Sequence, residues 1–404
     1  MTSGSEVRVV IAGGGTGGHL YPGIAVAREL SRRLQTVRVS FAGTARGIES
    51  RVVPREGFPL DLIRSGGLKG KTGGERARGL ALLPLSAIDA WRLITRRRPH
   101  LVIGVGGYSS GPVVLAAAAR GIPTMLLEQN AEPGLTNRWL GRVVDAAAVS
   151  FESTAAVFGP KAFVSGNPVR AEFFETVQEV QKGQGVQQVV AVREAGSGPG
   201  VREASGDRDA VRVLVFGGSQ GAHAINVAMV EAAAQLASGR PRLHLTHQTG
   251  ERDVEMVRAG YRTAGFPAVV EPFLYDMAER LGQTDLVVSR AGMTTLAELA
   301  ALGKPAILVP LPTATDDHQR KNAEEIAAAG GAEVLLQSDM TGAELARRIL
   351  ALAGDDDRRA RMAAAARGLA RPDAAKTIVD RALELLNVAP RGGPAGEDRG
   401  RRAG

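Results

Sequence analysis

The sequence predicts an α/β protein of two doubly wound, Rossmann-like parallel-sheet domains that face a cleft. Three observations carry this expectation. The apolar run Val7 to Ala12 leads into Gly13-Gly-Gly-Thr-Gly-Gly-His19 and then an amphipathic stretch, the strand, glycine turn and helix of a parallel-sheet unit. The same unit recurs at Val211 to Phe216, followed by Gly217-Gly-Ser-Gln-Gly221. Between them, Glu172 to Ala210 is rich in Gln, Gly, Glu, Ser and Arg with few large apolar residues, the composition of a linker. The expected domains are therefore 1–171 and 211–388. Residues 172–210 form a flexible linker, 389–404 a disordered tail, and the last helix packs back on the first domain.

Composition narrows the class. A chain of 404 residues, 44% of them hydrophobic, can fill two ordinary cores without disulfide or metal staples. Cysteine is absent, which excludes thiolate catalysis and Cys-ligated zinc and fits a reducing compartment. The apolar start is too short for a signal peptide, and no stretch approaches the ~20 apolar residues of a spanning helix. A soluble or membrane-peripheral protein is expected. Its net charge of +8 and pI near 10.1 suit phosphates, anionic lipid or nucleic acid. With only 4% aromatic residues and no basic stripe carrying stacking rings, no nucleic-acid partner is expected.

Taken in order, Val7 to Ala12 is a buried strand, Tyr21 to Arg33 a helix and Val37 to Phe41 a second strand. Gly13, Gly15 and Gly18 satisfy G-x-G-x-x-G. A dinucleotide site wants an acid near the end of the second strand. None lies between Glu29 and Glu49, and only Arg46 keeps an NADP reading open. Five glycines with Thr16 and His19 exceed what a turn needs, so this loop is expected to face a ligand. Further strands are read at Leu101 to Val105, Thr124 to Leu127 and Ala146 to Ser150. Their polar C-terminal loops put Tyr108, Glu128 and Asn130 at the ligand edge, although Asn130 also suits a turn.

Leu68 to Arg98 sets eight Lys or Arg against Glu75 and Asp89. The basic residues, ending in Arg96, Arg97 and Arg98, flank apolar side chains that include Leu80, Leu83 and Trp91. Such a composition suits contact with an anionic membrane surface. It suits equally a helix whose leucines pack on the sheet while its arginines are solvated. Asp355-Asp-Asp357 invites a metal, but acids at a helix start are the commoner use. No metal site is expected.

The second half centres on Ser289 to Asn322. Asp285 to Ser289 reads as a strand, with Thr294 and Thr295 capping a helix that carries Glu298 in its first or second turn. Gly303-Lys-Pro305 stops that helix before the strand Ala306 to Pro310. A helix N-terminus, a carboxylate and a polar loop make a nucleotide pocket.

Six ordered motifs extend this reading: GGGTGGHLYPGIAVA, GVGGYSSGP, LEQN, GNPVR, FGGSQGA, and RAGMTTLAE with the following DHQRKNA. Together they resemble the MurG family of peptidoglycan N-acetylglucosaminyltransferases, glycosyltransferase family 28, over most of Val7 to Val388. The resemblance implies a GT-B fold. It also implies inverting transfer of N-acetylglucosamine from UDP-N-acetylglucosamine to an undecaprenyl-diphosphate-linked muramyl peptide at the cytoplasmic face of the membrane. Partners would include cell-wall synthesis and division proteins, and no cofactor or metal would be required. The lipid acceptor would bind the first domain and the donor mainly the second.

By the same resemblance, Gly14, Gly15 and Tyr108 meet the acceptor, and Thr16, Gly17 and Gly18 lie where the two substrates meet and also touch the donor. His19 is the candidate base, with Glu128 as the second. Ser219 approaches the diphosphate, Leu274 contacts uracil through its backbone, and Glu298 takes the ribose hydroxyls. Met293, Thr294, Thr295, Leu296 and Ala297 form the loop around the nucleotide. Asn130, Arg170 and Gln319 match other donor-site positions. The family form carries two glutamines where this chain has His318-Gln319; His318 can still donate to a sugar hydroxyl, and the resemblance assigns it no role of its own.

Other classes remain open on the residues alone. These are another glycolipid glycosyltransferase or a UDP-sugar epimerase on the same fold, an NADP-dependent oxidoreductase, and a non-catalytic membrane-bound nucleotide sensor. The second glycine loop at Gly217 and the missing second-strand acid disfavour the oxidoreductase.

Overall fold

A computed structural model describes residues 6–66, 73–170, 172–174, 210–218 and 221–387, with the backbone alone for 73–81. The first sheet holds β1 (Val7–Gly13), β2 (Val37–Gly43), β3 (Leu60–Leu62), β4 (Leu101–Gly106), β5 (Thr124–Glu128), β6 (Ala146–Val149) and β7 (Ala162–Val164). Its helices are α1 (Gly17–Arg33), α2 (Glu49–Arg55), α3 (Gly73–Arg97), α4 (Ser110–Ala118), α5 (Leu135–Leu140) and α6 (Glu152–Phe158).

The second sheet holds β8 (Val211–Phe216), β9 (Leu243–Gln248), β10 (Ala268–Glu271), β11 (Leu286–Ser289), β12 (Ala306–Leu308) and β13 (Ala332–Val334). Between and after its strands come α7 (His223–Ser238), α8 (Val254–Thr263), α9 (Met277–Gln283), α10 (Met293–Leu302) and α11 (His318–Ala328). The chain closes with α12 (Gly342–Ala353), α13 (Asp356–Gly368) and α14 (Ala374–Leu386).

The strand orders are β3-β2-β1-β4-β5-β6-β7 and β10-β9-β8-β11-β12-β13, and every pairing is parallel. Strands covered on both faces need apolar residues throughout. Val7, Val9 and Ile11 of β1 therefore join a cluster with α1, while Val10 and Ala12 point into the opposite cluster with α4. β8 divides the same way, Val213 and Val215 on one side and Leu214 and Phe216 on the other.

Each order reverses once, between β1 and β4 and between β8 and β11. Loops after these four strands lie at the switch points where doubly wound sheets hold ligands. Three local expectations change. α1 begins at Gly17, four positions before the expected Tyr21. α10 is capped by Gly292 with no side-chain cap, so neither Thr294 nor Thr295 serves as the cap. Glu172 to Phe174, placed in the linker by composition, are helical, and Phe173 is fully buried in the second domain's core. The rest of that segment, 175–209, and the tail from 388 lie outside the described residues. At the far end, α14 buries Ile378, Val379, Ala382, Leu383 and Leu386 in the core of the first sheet, and Arg33 pairs with Asp380. Asp355 accepts from the Arg358 N–H at 2.8 Å at the start of α13, so this acid caps a helix.

Candidate active site

Backbone contact shapes the loop after β1. Gly13 and Gly14 both sit at φ 144°. A Cβ on Gly13 would lie 2.2 Å from the Gly106 carbonyl oxygen, and one on Gly14 would lie 2.5 Å from the Glu49 carboxylate. No L side chain fits either place. Glu49 accepts from the Gly15 N–H at 2.7 Å and from the Thr44 N–H and hydroxyl at 2.8 and 2.9 Å. The acid closest to the end of β2 is thus engaged in holding the loop, and the dinucleotide reading finds none free there.

His19 projects from the first turn of α1. Its ring packs against Gly106, where a Cβ would lie 2.8 Å from Cδ2, and its Nδ1 lies 3.3 Å from the Thr16 hydroxyl. Burial, followed by repulsion from His318, pushes its pKa down to about 4. The imidazole is therefore neutral near pH 7 and able to accept a proton. Tyr108 stands beside this loop: a Cβ on Gly107 would lie 2.5 Å from the Gly14 carbonyl oxygen. The Tyr108 carbonyl accepts from the Ser65 hydroxyl at 2.8 Å, and its side chain is exposed.

Across the cleft, Gln248 ends β9 and ties two loops together. Its Nε2 donates to the Gly218 carbonyl at 2.9 Å, and its Oε1 accepts from the Leu274 N–H at 3.1 Å. Glu298 lies in the second turn of α10 and accepts from Arg170 Nη2 at 3.1 Å. Arg170 also pairs with Glu172 at 2.9 Å and stands over the Tyr21 ring, 5.3 Å from its centroid. Burial raises the Glu298 pKa to about 7 against the opposing pull of Arg170.

The two sides meet at helix N-termini. A Cβ on Gly18 of α1 would lie 3.9 Å from the Thr294 hydroxyl of α10. Neither helix has an acid at its N-cap or in its first turn, and nor does α7 behind the second glycine loop. By contrast, α2, α6, α8, α9, α12 and α13 carry one in the first turn, although α4 and α5 also lack one there and at the cap. Uncompensated helix starts favour anions. Buried side-chain atoms without a hydrogen-bond partner among the described residues belong mostly to the same edges: Thr294 Oγ1, Arg170 Nε, Gln129 Oε1, Ser110 Oγ and both polar atoms of Asn167. That concentration marks a polar ligand site.

Family comparisons agree with this geometry. The glycosyltransferase family 28 N-terminal domain matches residues 9–149 and its C-terminal domain matches residues 212–378. The chain belongs to glycosyltransferase family 28. It is 48% identical over 381 residues to an Anaeromyxobacter dehalogenans protein, covering 94% of this chain and 93% of that one. That relative is named UDP-N-acetylglucosamine–N-acetylmuramyl-(pentapeptide) pyrophosphoryl-undecaprenol N-acetylglucosamine transferase. A relative of the same name from Pelobacter propionicus is 46% identical, covering 94% of this chain and all of that one. Among solved structures, Acinetobacter baumannii MurG superposes with a TM-score of 0.72 at 30% identity, over 94% of this chain and 99% of that one. A Neisseria meningitidis UDP-GlcNAc 2-epimerase at TM-score 0.63 and 15% identity shares the fold alone. The architecture is GT-B.

In this family 28 chain the structure separates residues presented to the cleft from residues that brace it. Leu296 and Ala297 are buried, and Leu296 packs in the core of the second domain. The Leu274 N–H is already bonded to Gln248, so uracil contact through that group would need Gln248 to yield. Glu128 is displaced as a candidate base. It is 3% exposed, and its oxygens accept from the Asn130 N–H, Gly134 N–H and Asn137 amide at 3.0, 3.2 and 2.9 Å. It holds the loop after β5.

Asn130 bonds Glu128 and Asn322 with its side chain, and Gln319 Oε1 accepts from the Leu311 N–H at 3.0 Å. His318 lies 2.6 Å from the Thr315 carbonyl through Nδ1. A carbonyl can only accept, so Nδ1 carries a proton and donates here. Met293 and Thr295 are half-buried at the start of α10. Ser219 and the Leu80 side chain lie outside the described residues.

Of the basic group, Arg96 and Arg97 hold the buried Asp61 at 2.7 Å each, and the Arg98 carbonyl accepts from Arg8 Nε at 2.9 Å. Arg96 and Arg97 are bound to the protein and are not free cations. Sequence reasoning missed Glu49, Gln248 and Asn322. Glu49 and Gln248 show only as a polar residue at a helix start or strand end and Asn322 as one inside a helix, and except for Thr44 beside Glu49 their partners lie 26 or more positions away.

Proposed function

We infer that this chain transfers N-acetylglucosamine from UDP-N-acetylglucosamine to the muramyl C4 hydroxyl of an undecaprenyl-diphosphate-linked N-acetylmuramyl pentapeptide, with inversion. His19 takes the hydroxyl proton as the acceptor oxygen bonds the anomeric carbon. The bond to the UDP oxygen breaks, and its electron pair leaves on the diphosphate beside the starts of α7 and α10. A pKa near 4 makes His19 a weak base alone, and diphosphate groups arriving beside it raise its basicity. Glu298 takes the ribose hydroxyls as Arg170 releases it. The single observation that carries this reading is the approach of the α1 and α10 N-termini at Gly18 and Thr294, with His19 in the first turn.

The helix starts supply the positive charge, so no metal cofactor is required. A lipid-linked acceptor also implies a peripheral site on the cytoplasmic face of the membrane. No helix among the described residues is long and apolar enough to cross one. The exposed Leu83, Ile88 and Trp91 of α3 supply a face for that contact. Purified protein given labelled UDP-N-acetylglucosamine and a short-chain lipid-linked muramyl acceptor should form the disaccharide lipid, with undiminished yield in EDTA. UDP binding without transfer, or an epimerised nucleotide as product, would overturn the reading.

A further inference from the structure

Asn322 is fully buried on α11, yet both of its bonds leave its own domain. Its Oδ1 accepts from the Ala131 N–H at 2.8 Å, and its Nδ2 donates to Asn130 Oδ1 at 3.1 Å. The loop it grips is fixed to the acceptor side. Gln129 Nε2 donates to the Val105 carbonyl at 3.2 Å, and the next residue, Gly106, accepts from the Gly14 N–H at 3.3 Å and packs under the His19 ring. On its own helix, Asn322 stands four residues after His318, so the two share a face. Glu325 continues that face and bonds Ser153 at 2.6 Å, while Lys321 beside it bonds Glu132 at 2.6 Å. The Ser153 contact is exposed and the Lys321 contact half-buried, whereas the Asn322 side chain is itself fully buried.

We propose that Asn322 is a positioning residue that sets the gap between the donor-sugar end of α11 and the His19 loop. Only an amide satisfies both partners, because Ala131 offers a donor and Asn130 an acceptor. The proposal rests on reading the cleft as the transfer site, and it predicts that loosening this contact misplaces the reacting atoms without touching the nucleotide pocket.

Asn322→Ala and Asn322→Asp test it, the latter keeping the Ala131 bond and setting a carboxylate against the Asn130 oxygen. Turnover should fall about tenfold to a hundredfold in both, with UDP affinity within about twofold of the parent protein. Because the chain has no cysteine, Arg55→Cys and Ala343→Cys can carry a spin-label pair across the domains. Their distance distribution should broaden in both Asn322 variants. A Lys321→Ala control should leave turnover within about twofold, as expected for a surface pair. Unchanged turnover in the Asn322 variants, an unchanged distance distribution, or UDP affinity lost in step with turnover in both would overturn the proposal. The distance measurement needs no catalysis, so it separates failure of this inference from failure of the transferase reading.

Discussion

As the proposed ribose ligand, Glu298 faces two opposing demands. Binding ribose hydroxyls requires a carboxylate, yet burial lifts its pKa from 4.5 to about 7 against the pull of Arg170. Between those values the folded protein holds a proton that the unfolded chain has lost, so this group's contribution to stability falls as pH rises through that window. Ligand binding runs the other way. UDP affinity should rise as pH climbs through about 7, and Glu298→Gln should weaken binding at pH 8 and flatten the pH slope; isothermal titration checks both. A pH-independent affinity in the parent protein would remove Glu298 from the ribose.

His318 offers a second residue-level test. If its Nε2 accepts from the donor sugar, Gln should replace it with little loss, whereas His318→Phe should lower kcat/KM about twofold to tenfold, the worth of one hydrogen bond. Steady-state kinetics on both variants decides, and equal losses would contradict the acceptor role. Glu298 was legible in the sequence because it follows a strand and a glycine at helix spacing. Its pairing with Arg170 was not, since 128 residues separate them.

At the scale of the element, α3 shows side-chain partners that composition does not reveal. Its Leu83, Ile88 and Trp91 are exposed, and Ala90, Leu93 and Ile94 are buried. Arg120 stands over Trp91 at 3.8 Å, and Arg96 and Arg97 are committed to Asp61, 35 and 36 residues earlier. Reversing those arginines would strand a buried carboxylate, so the apolar residues make the cleaner test. Leu83→Ser, Ile88→Ser and Trp91→Ser together should reduce co-sedimentation with anionic vesicles while leaving transfer to a water-soluble acceptor analogue intact. Undiminished sedimentation would leave α3 as a merely solvated helix. α1 extended further than glycine's low helix propensity suggested, because Gly17 and Gly18 begin a helix whose first turn faces the other domain.

On the scale of the whole molecule, two sheets of matching order are joined twice, once at Val164 to Phe173 and again where α14 returns to the first core. Ile378, Val379, Leu383 and Leu386, four of the apolar side chains buried by α14, each contribute roughly 1.5–3 kcal/mol, enough to hold α14 in place. The repeated strand, glycine loop and helix made the paired sheets legible. The contacts that bring the halves to one cleft were not legible, because single polar residues such as Asn322 make them across 191 and 192 positions of sequence. In the proposed reaction His19, held on the acceptor side, does chemistry on a donor held by the other domain. Single-turnover transfer by His19→Ala, measured with its UDP affinity, tests it most directly. Turnover should fall about 10²–10⁴-fold, the usual worth of a general base, while UDP affinity stays within about twofold. Parallel losses in turnover and affinity, or undiminished turnover, would contradict the account.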